Sequence, residues 1–260
     1  MVGAMKDITY QKEYEQSLLN LTHKLETFTK ELQISNKELE QFAYVASHDL
    51  QEPLRMITSY LSLLEKKYDS VFDSKAKQYI YFAVDGAKRM RKIILDLLEY
   101  SRIGKHEDSL INLDLNEILR DVCVLQRKII EEKKAIITSE HLPIIMGYRS
   151  PMIQLFQNLI SNALKYSYSD FAPAISISAK DLGVEWEVSF KDNGIGIESE
   201  YFEKIFIIFQ RLHNHEEYTG TGIGLAIVKK IIDNMDGSIR VESEVGKGST
   251  FFITLRKEPV

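Results

Sequence analysis

The sequence predicts an α plus α/β architecture: a long helical hairpin followed by a sheet covered on one face by helices. Three observations predict it. Apolar residues in the first hundred positions recur on a heptad seam, a polar stretch follows, and from about residue 111 helix-period and strand-period segments alternate. With 260 residues, 44% of them hydrophobic, the chain is long enough for two ordinary cores.

The first seam runs Leu18, Leu21, Leu25, Phe28, Leu32, Leu39 and Phe42, with Ser35 at the missed position. Alternating steps of three and four over this length are the signature of a coiled coil; the other reading is one amphipathic helix laid on a globular core. After Phe42 the steps become four, four and four through Ala46, Leu50 and Leu54, then return to three and four at Ile57, Leu61 and Leu64, which is a stutter. At about 100° per residue, this change turns the apolar face about 180° away from His48 and leaves Asp49 about 80° off it, at the boundary. Pro53 removes a backbone hydrogen bond reaching back to Asp49 and predicts a point of weakness there.

The stretch KKYDSVFDS predicts a turn, with Ser74 as the cap of the next helix. That helix carries Ile80, Ala83, Ala87, Met90, Ile94, Leu97 and Ser101 and stops at Gly104. Two helices with one apolar stripe each cannot bury both stripes alone, so the pattern predicts a hairpin that dimerises into a four-helix bundle through residues 18–103. GKHEDS, residues 104–109, reads as a linker.

Beyond it the periodicity predicts a helix over 116–134, a strand near Ile136 and a helix over 151–166. Strands over 175–179 and 185–191, a glycine-rich loop, a helix over 222–235 and terminal strands over 238–242 and 250–256 complete the expected order.

A net charge of −5 with no long Lys/Arg block gives no electrostatic case for nucleic acid or an anionic membrane. No apolar run reaches the roughly 20 residues of a membrane span and no signal peptide opens the chain, so a cytoplasmic chain is expected. Cys123 is the only cysteine, which excludes an internal disulfide, and its helical setting reads as ordinary packing. His23, His106, His141, His213 and His215 lack metal-like spacing with suitable partners. The opening MVGAM reads as an artificial leader.

Three clusters in the second half share a theme. In QNLISNALKYS, Asn158, Asn162 and Lys165 fall on one helix face, where amide oxygens suit Mg²⁺ and a lysine suits phosphate, although such faces are also commonly just solvated. In DNGIGI, Asp192 can accept from an exocyclic amine and Gly194 and Gly196 allow close approach, although Asn-Gly is also a hairpin turn signal. In TGTGIGLAI, Gly220, Gly222 and Gly224 run into a helix and present backbone N–H groups to phosphate.

Together with SHDLQEPLR and the phenylalanine pair of IFIIFQR, these stretches resemble the H, N, first glycine, F and second glycine boxes of sensor histidine kinases. The H box is closest to the bacterial phytochrome type, and the resemblance covers about residues 35 to 257. It implies a phosphoacceptor hairpin followed by an ATP-binding domain of the type shared with gyrase, mismatch-repair and heat-shock ATPases (the GHKL or Bergerat fold). The implied division is a leader at 1–5, a coiled-coil signalling helix at 6–40, a dimerisation and phosphotransfer hairpin at 41–103, a linker at 104–110 and the catalytic domain at 111–260.

The resemblance further implies that His48 accepts the phosphoryl group with Asp49 as its general base, and that Asn158 holds Mg²⁺. Asn162 and Lys165 would contact the phosphate chain, Tyr166 would lie against the adenine, and Asp192 would read its amino group, with Gly194 and Gly196 giving access. Phe206 and Phe209 would anchor a lid over about 198–219, Arg211 would reach the terminal phosphates, and Gly220, Thr221, Gly222, Gly224 and Leu225 would close over them. The reaction implied is ATP-dependent phosphorylation of His48, then transfer to an aspartate on the receiver domain of a separate response regulator. The start DIT before a charged helix resembles the exit of a PAS sensor domain, which implies an upstream sensor.

Two features set limits. Glu52 stands where many relatives carry Thr or Asn to position a water for dephosphorylating the partner, which implies weak phosphatase activity. Asn158 stands where the hydrolytic ATPases of the superfamily place a catalytic Glu, which argues against a plain ATPase; a dimerising scaffold that binds ATP without transfer is the remaining alternative.

Overall fold

The computed structural model describes residues 9–104, 109–168, 170–210, 212 and 220–257, leaving aside the side chains of 9–11, 32, 33 and 35–43. The chain divides into two compact units, residues 1–49 and 50–260. The expectations for residues 1–5, His106, Arg211, His213, His215 and the seam side chains Leu32, Leu39 and Phe42 fall outside the described residues.

The heptad region forms one continuous helix, α1, Thr9–Tyr68, which runs unbroken through Pro53. Within the first unit the seam residues Leu18, Leu21, Leu25 and Phe28 are exposed. The chain reverses over 69–73, where the Val71 and Phe72 amides donate to the Tyr68 carbonyl at 2.9 and 3.1 Å, and the Lys77 ammonium pairs with Asp69 at 2.6 Å. The second helix, α2, spans Ser74–Arg102. Its cap is Asp73, not Ser74: the Ala76 amide donates to the Asp73 carboxylate at 2.7 Å, satisfying one of the orphan donors of the first turn.

The remainder is β1 (Ile111–Asp114), α3 (Leu115–Leu125), α4 (Arg127–Glu132), β2 (Ile136–Ser139), β3 (Ile144–Gly147), α5 (Arg149–Lys165), β4 (Ala174–Asp181), β5 (Glu185–Asp192), two single 3₁₀ turns at Ser199–Tyr201 and Lys204–Phe206, α6 (Gly224–Asp233), β6 (Ser238–Glu244) and β7 (Gly248–Arg256). A five-stranded sheet has the order β2-β4-β5-β7-β6, with β2 parallel to β4 and every other pair antiparallel. Alternate residues of its strands, including Ile175, Ile177, Val188, Phe190, Phe251, Ile253 and Leu255, are buried together with Phe156, Leu159, Ile160, Ile227 and Ile231 of α5 and α6. This is the period-2 face of the sheet meeting the period-3.6 stripe of each helix. At its centre Phe156 packs edge-on against Phe190, with ring centroids 4.9 Å apart.

Two differences from the sequence expectation have identifiable physical causes. The helix expected over 116–134 breaks at Gln126, which is 6% exposed and donates its side-chain amide to the Gln157 carbonyl of α5 at 3.0 Å. The side chain is drawn into a tertiary bond and the backbone leaves helical angles there. The small antiparallel pair β1–β3 was not expected, because strands of four residues leave no readable alternation. Asn116 fixes this corner: its amide donates to the Leu142 carbonyl at 2.7 Å and its oxygen accepts from the Leu142 N–H at 3.0 Å.

Cys123 is half-buried, and burial pushes its thiol up, away from the reactive thiolate. Among the described residues no helix is long and apolar enough to cross a membrane.

Phe156→Ala removes the central ring of a fully buried cluster. It is expected to destabilise residues 109–257 by about 3–5 kcal/mol, measured by urea unfolding followed by the fluorescence of Trp186. Asp73→Ala, which removes a cap, is expected to cost about 1 kcal/mol in the same experiment followed by helical circular dichroism.

Candidate active site

The second unit holds a cleft between the C-terminal half of α5, the β5 exit and the N-terminus of α6, with a cavity volume of about 270 Å³, just below the usual range of small-molecule sites. The residues from all three sequence clusters meet there: Asn158, Asn162, Lys165 and Tyr166 from α5 and its cap, Asp192 and Gly196 from the β5 exit, and Gly220, Thr221, Gly222, Gly224 and Leu225 from the loop into α6. Gly194, Phe206 and Phe209 do not line it, and Arg211 is outside the described residues.

Close backbone approach explains the glycines. A Cβ on Gly194 would lie 2.5 Å from the Tyr166 carbonyl, an oxygen that accepts from the Ile195 N–H at 2.9 Å. Gly196 has φ +78°, and a Cβ there would lie 2.2 Å from the Glu244 carbonyl. The DNGIGI segment is therefore not the hairpin turn that Asn-Gly permits, since β5 runs on to a chain crossing beneath the β6–β7 turn. The α6 loop is equally tight against α5: a Cβ on Gly220 would lie 2.5 Å from the Lys165 ammonium, and one on Gly224 would lie 2.8 Å from the Asn158 amide oxygen.

Asp192 sits at the floor. Its carboxylate accepts from the Gly194 N–H at 2.8 Å and the Ser249 N–H at 3.1 Å. Burial raises its pKa, and the two N–H donors oppose that rise by favouring the charged form. The result is a fixed acceptor in a partly desolvated site, which suits an exocyclic amine. The Lys165 ammonium donates to the Tyr166 hydroxyl at 2.7 Å and lies 4.2 Å from its ring centroid, so the cation expected at phosphate and the ring expected at adenine are in contact with each other.

Asn158 donates its side-chain N–H to the Gln154 carbonyl at 3.0 Å, which aims its amide oxygen toward the glycine loop. A hard oxygen donor presented this way fits Mg²⁺, which takes few protein ligands and keeps water and phosphate for the rest. Phe206 packs on the core, whereas Phe209 is half-exposed in a left-handed conformation, φ +64°, and its N–H donates to the Gly222 carbonyl at 3.1 Å.

Sequence reasoning missed Lys92 and Asp96 of α2, which also line the cleft; the Thr221 hydroxyl donates to the Asp96 carboxylate at 2.5 Å. Nothing in the local pattern of α2 signals this, because the two partners are 125 residues apart. Ser249, whose amide holds Asp192, was also missed.

In the first unit, His48 and Asp49 are both exposed, with side chains 78% and 72% accessible, as the turned apolar face predicts for the histidine. His48 Nδ1 lies 3.3 Å from the Asp49 carboxylate. In the second unit, Glu52 is engaged by Arg55 through two N–H donors at 2.6 and 3.1 Å.

The chain thus presents an exposed histidine beside a carboxylate in its first unit and a cleft rimmed by glycines in its second. Residues 38–106 match the His Kinase A (phospho-acceptor) domain, and residues 147–259 match the histidine kinase-, DNA gyrase B- and HSP90-like ATPase family. The chain belongs to the sensor histidine kinases. Among its relatives, cyanobacterial phytochrome A of Nostoc sp. is 44% identical over 238 residues, 92% of this chain and 31% of that protein. Phytochrome-like protein Cph1 of Synechocystis sp. is 41% identical over 238 residues, 92% of this chain and 32% of that protein. The chain thus spans about a third of the length of these relatives.

Among solved structures, full-length ShkA in complex with AMPPNP shares the fold with a TM-score of 0.63 at 24% identity, over 85% of this chain and 47% of that one. The catalytic domain of histidine kinase ThkA has a TM-score of 0.50 at 28% identity, over 58% of this chain and 99% of that one.

Asp192→Asn keeps an oxygen for the two N–H donors and removes the buried charge. It is expected to weaken adenine nucleotide binding at least tenfold by calorimetry. Because the folded pKa of Asp192 is raised, the native state holds its proton more tightly than the unfolded chain. Burying the charge therefore destabilises the wild type increasingly as pH rises from the ordinary carboxylate range through the raised pKa, and imposes no penalty well below it. The variant is accordingly expected to melt no lower than wild type at pH 7, with its relative advantage shrinking on acidification.

Proposed function

We propose that this chain is the catalytic portion of an ATP-dependent protein-histidine kinase that phosphorylates His48 and passes the phosphoryl group to an aspartate of a separate response regulator. The observation that carries the reading is the convergence of Asn158, Lys165, Asp192 and the Gly220–Gly224 loop on one cleft, from three separate stretches of sequence. Asp192 reads the adenine amino group, Tyr166 flanks the base, Asn162 and Lys165 take the phosphate chain, and the loop N–H groups close over it. The Asn158 oxygen would hold Mg²⁺, which would supply charge neutralisation to the phosphate oxygens.

With His48 Nδ1 directed at Asp49, Nε2 is the attacking nitrogen. Its lone pair forms the N–P bond to the γ-phosphorus, the bond to the β,γ-bridging oxygen breaks, and ADP leaves. Asp49 orients the ring and accepts the Nδ1 proton or stabilises the charge that develops there. Such transfer is mostly positioning and electrostatics. The phosphoramidate formed is a strong donor, which supports onward transfer to a carboxylate. The exposed seam residues Leu18, Leu21, Leu25 and Phe28 support homodimerisation through residues 18–103, and the resemblance of the first residues to a PAS exit supports an upstream sensor.

Incubation with radiolabelled ATP and Mg²⁺ tests the reading. Acid-labile, alkali-stable label on the protein, lost in His48→Gln, is the expected outcome; free phosphate without labelled protein would overturn it. Asp49→Asn is expected to slow labelling by about 10²-fold or more while leaving nucleotide affinity unchanged, as befits a group acting on the nucleophile. Asn158→Ala is expected to abolish Mg-ATP binding while light scattering still reports a dimer.

A further inference from the structure

The last turns of α2 belong to the nucleotide cleft as well as to the hairpin. Leu97, Tyr100 and Ile103 pack on the core of the α/β part. The Lys230 ammonium of α6 donates to the Tyr100 carbonyl at 2.8 Å and lies 4.4 Å from the Tyr100 ring centroid. One turn earlier, Asp96 reaches into the cleft and accepts the Thr221 hydroxyl proton at 2.5 Å. Thr221 stands between Gly220 and Gly222, is only 9% exposed and lines the cleft, so its hydroxyl is a fixed part of the loop that rims it.

A threonine hydroxyl has one proton to donate. It can serve the Asp96 carboxylate or a phosphate oxygen, not both at once. The carboxylate also adds a negative charge beside the place where a polyphosphate must lie, and like charges a few ångströms apart in a partly desolvated site repel strongly. Both effects have the same sign, and the charge repulsion grows with the number of phosphates.

We propose that Asp96 is a phosphate-opposed latch: it holds the end of α2 on the glycine loop by occupying the Thr221 hydroxyl, and a nucleotide polyphosphate must displace it. This rests on the assignment of the cleft to adenine nucleotides. By linkage, docked α2 weakens polyphosphate binding by the same factor by which the polyphosphate weakens α2 docking. Nucleotide loading is thereby converted into release of residues 94–103 from the α/β part.

The test measures the affinity of the whole chain and of Asp96→Asn for adenosine, ADP and a non-hydrolysable ATP analogue with Mg²⁺. The variant is expected to bind the ATP analogue about fivefold to tenfold more tightly, the low end of typical coupling, ADP less so, and adenosine without change. Asp96→Ala, which removes the acceptor as well as the charge, is expected to give the same ranking. In the wild type, the ATP analogue is expected to speed hydrogen exchange over 94–103 while adenosine does not. An unchanged or weaker affinity of Asp96→Asn for the ATP analogue, or an equal gain for adenosine, overturns the latch while leaving the cleft assignment standing. A wild-type chain that binds none of the three probes overturns the cleft assignment, and the latch with it.

Discussion

The cleft depends on one steric constraint: the backbone leaving β5 lies in direct contact with two other backbones. At Gly194 it meets the carbonyl that ends α5, and at Gly196 it meets the β6–β7 turn, where Gly248 in turn lies so near Asp192 that a Cβ would stand 2.1 Å from its carbonyl oxygen. No side chain can be inserted at these crossings without moving the sheet away from α5. The contact has a polar counterpart, since the Asp192 carboxylate ties Gly194 and Ser249 together. A single carboxylate thus helps close the crossing and remains available on the cleft floor.

The same economy of space operates at the α6 loop. Gly220 leaves room for the Lys165 ammonium and Gly224 for the Asn158 oxygen, so the helix that carries cation and metal-type ligands and the loop that carries N–H donors sit within one side chain's width of each other. A phosphoryl-transfer site needs this arrangement, because catalysis there comes from fixed charges and dipoles around an in-line path rather than from covalent chemistry by the protein. The proposed phosphoacceptor makes the opposite demand. His48 must be reachable, and its exposure agrees with four-residue apolar steps that turn the apolar stripe to the other side of α1.

Where sequence reading and structure part company, the causes are long-range contacts and the tolerance of helix interiors and ends. Gln126 ends a helix that its neighbours would continue, its side chain drawn into a hydrogen bond to the Gln157 carbonyl of α5. Pro53 does not break α1 although it removes a hydrogen bond, since a long helix can lose one bond and keep the rest. Asp73 takes the cap expected of Ser74 by a shift of one residue, within the usual uncertainty of helix ends. The strands β1 and β3 left no alternation to read, and they pair across about thirty residues of intervening chain.

By itself the sequence determined the heptad helices, the outward histidine, the alternation of helix and strand, and the three clusters that supply the cleft, because periodicity and glycine placement are properties of short segments. It could not show that α2 contributes Asp96 and Lys92 to the same cleft, that Ser249 holds Asp192, or that the Asn-Gly of DNGIGI serves a backbone crossing instead of a hairpin. Those facts are set by which segments pack together once the core closes, and two groups 125 residues apart, such as Asp96 and Thr221, carry no mark of each other until the fold brings them within a hydrogen bond.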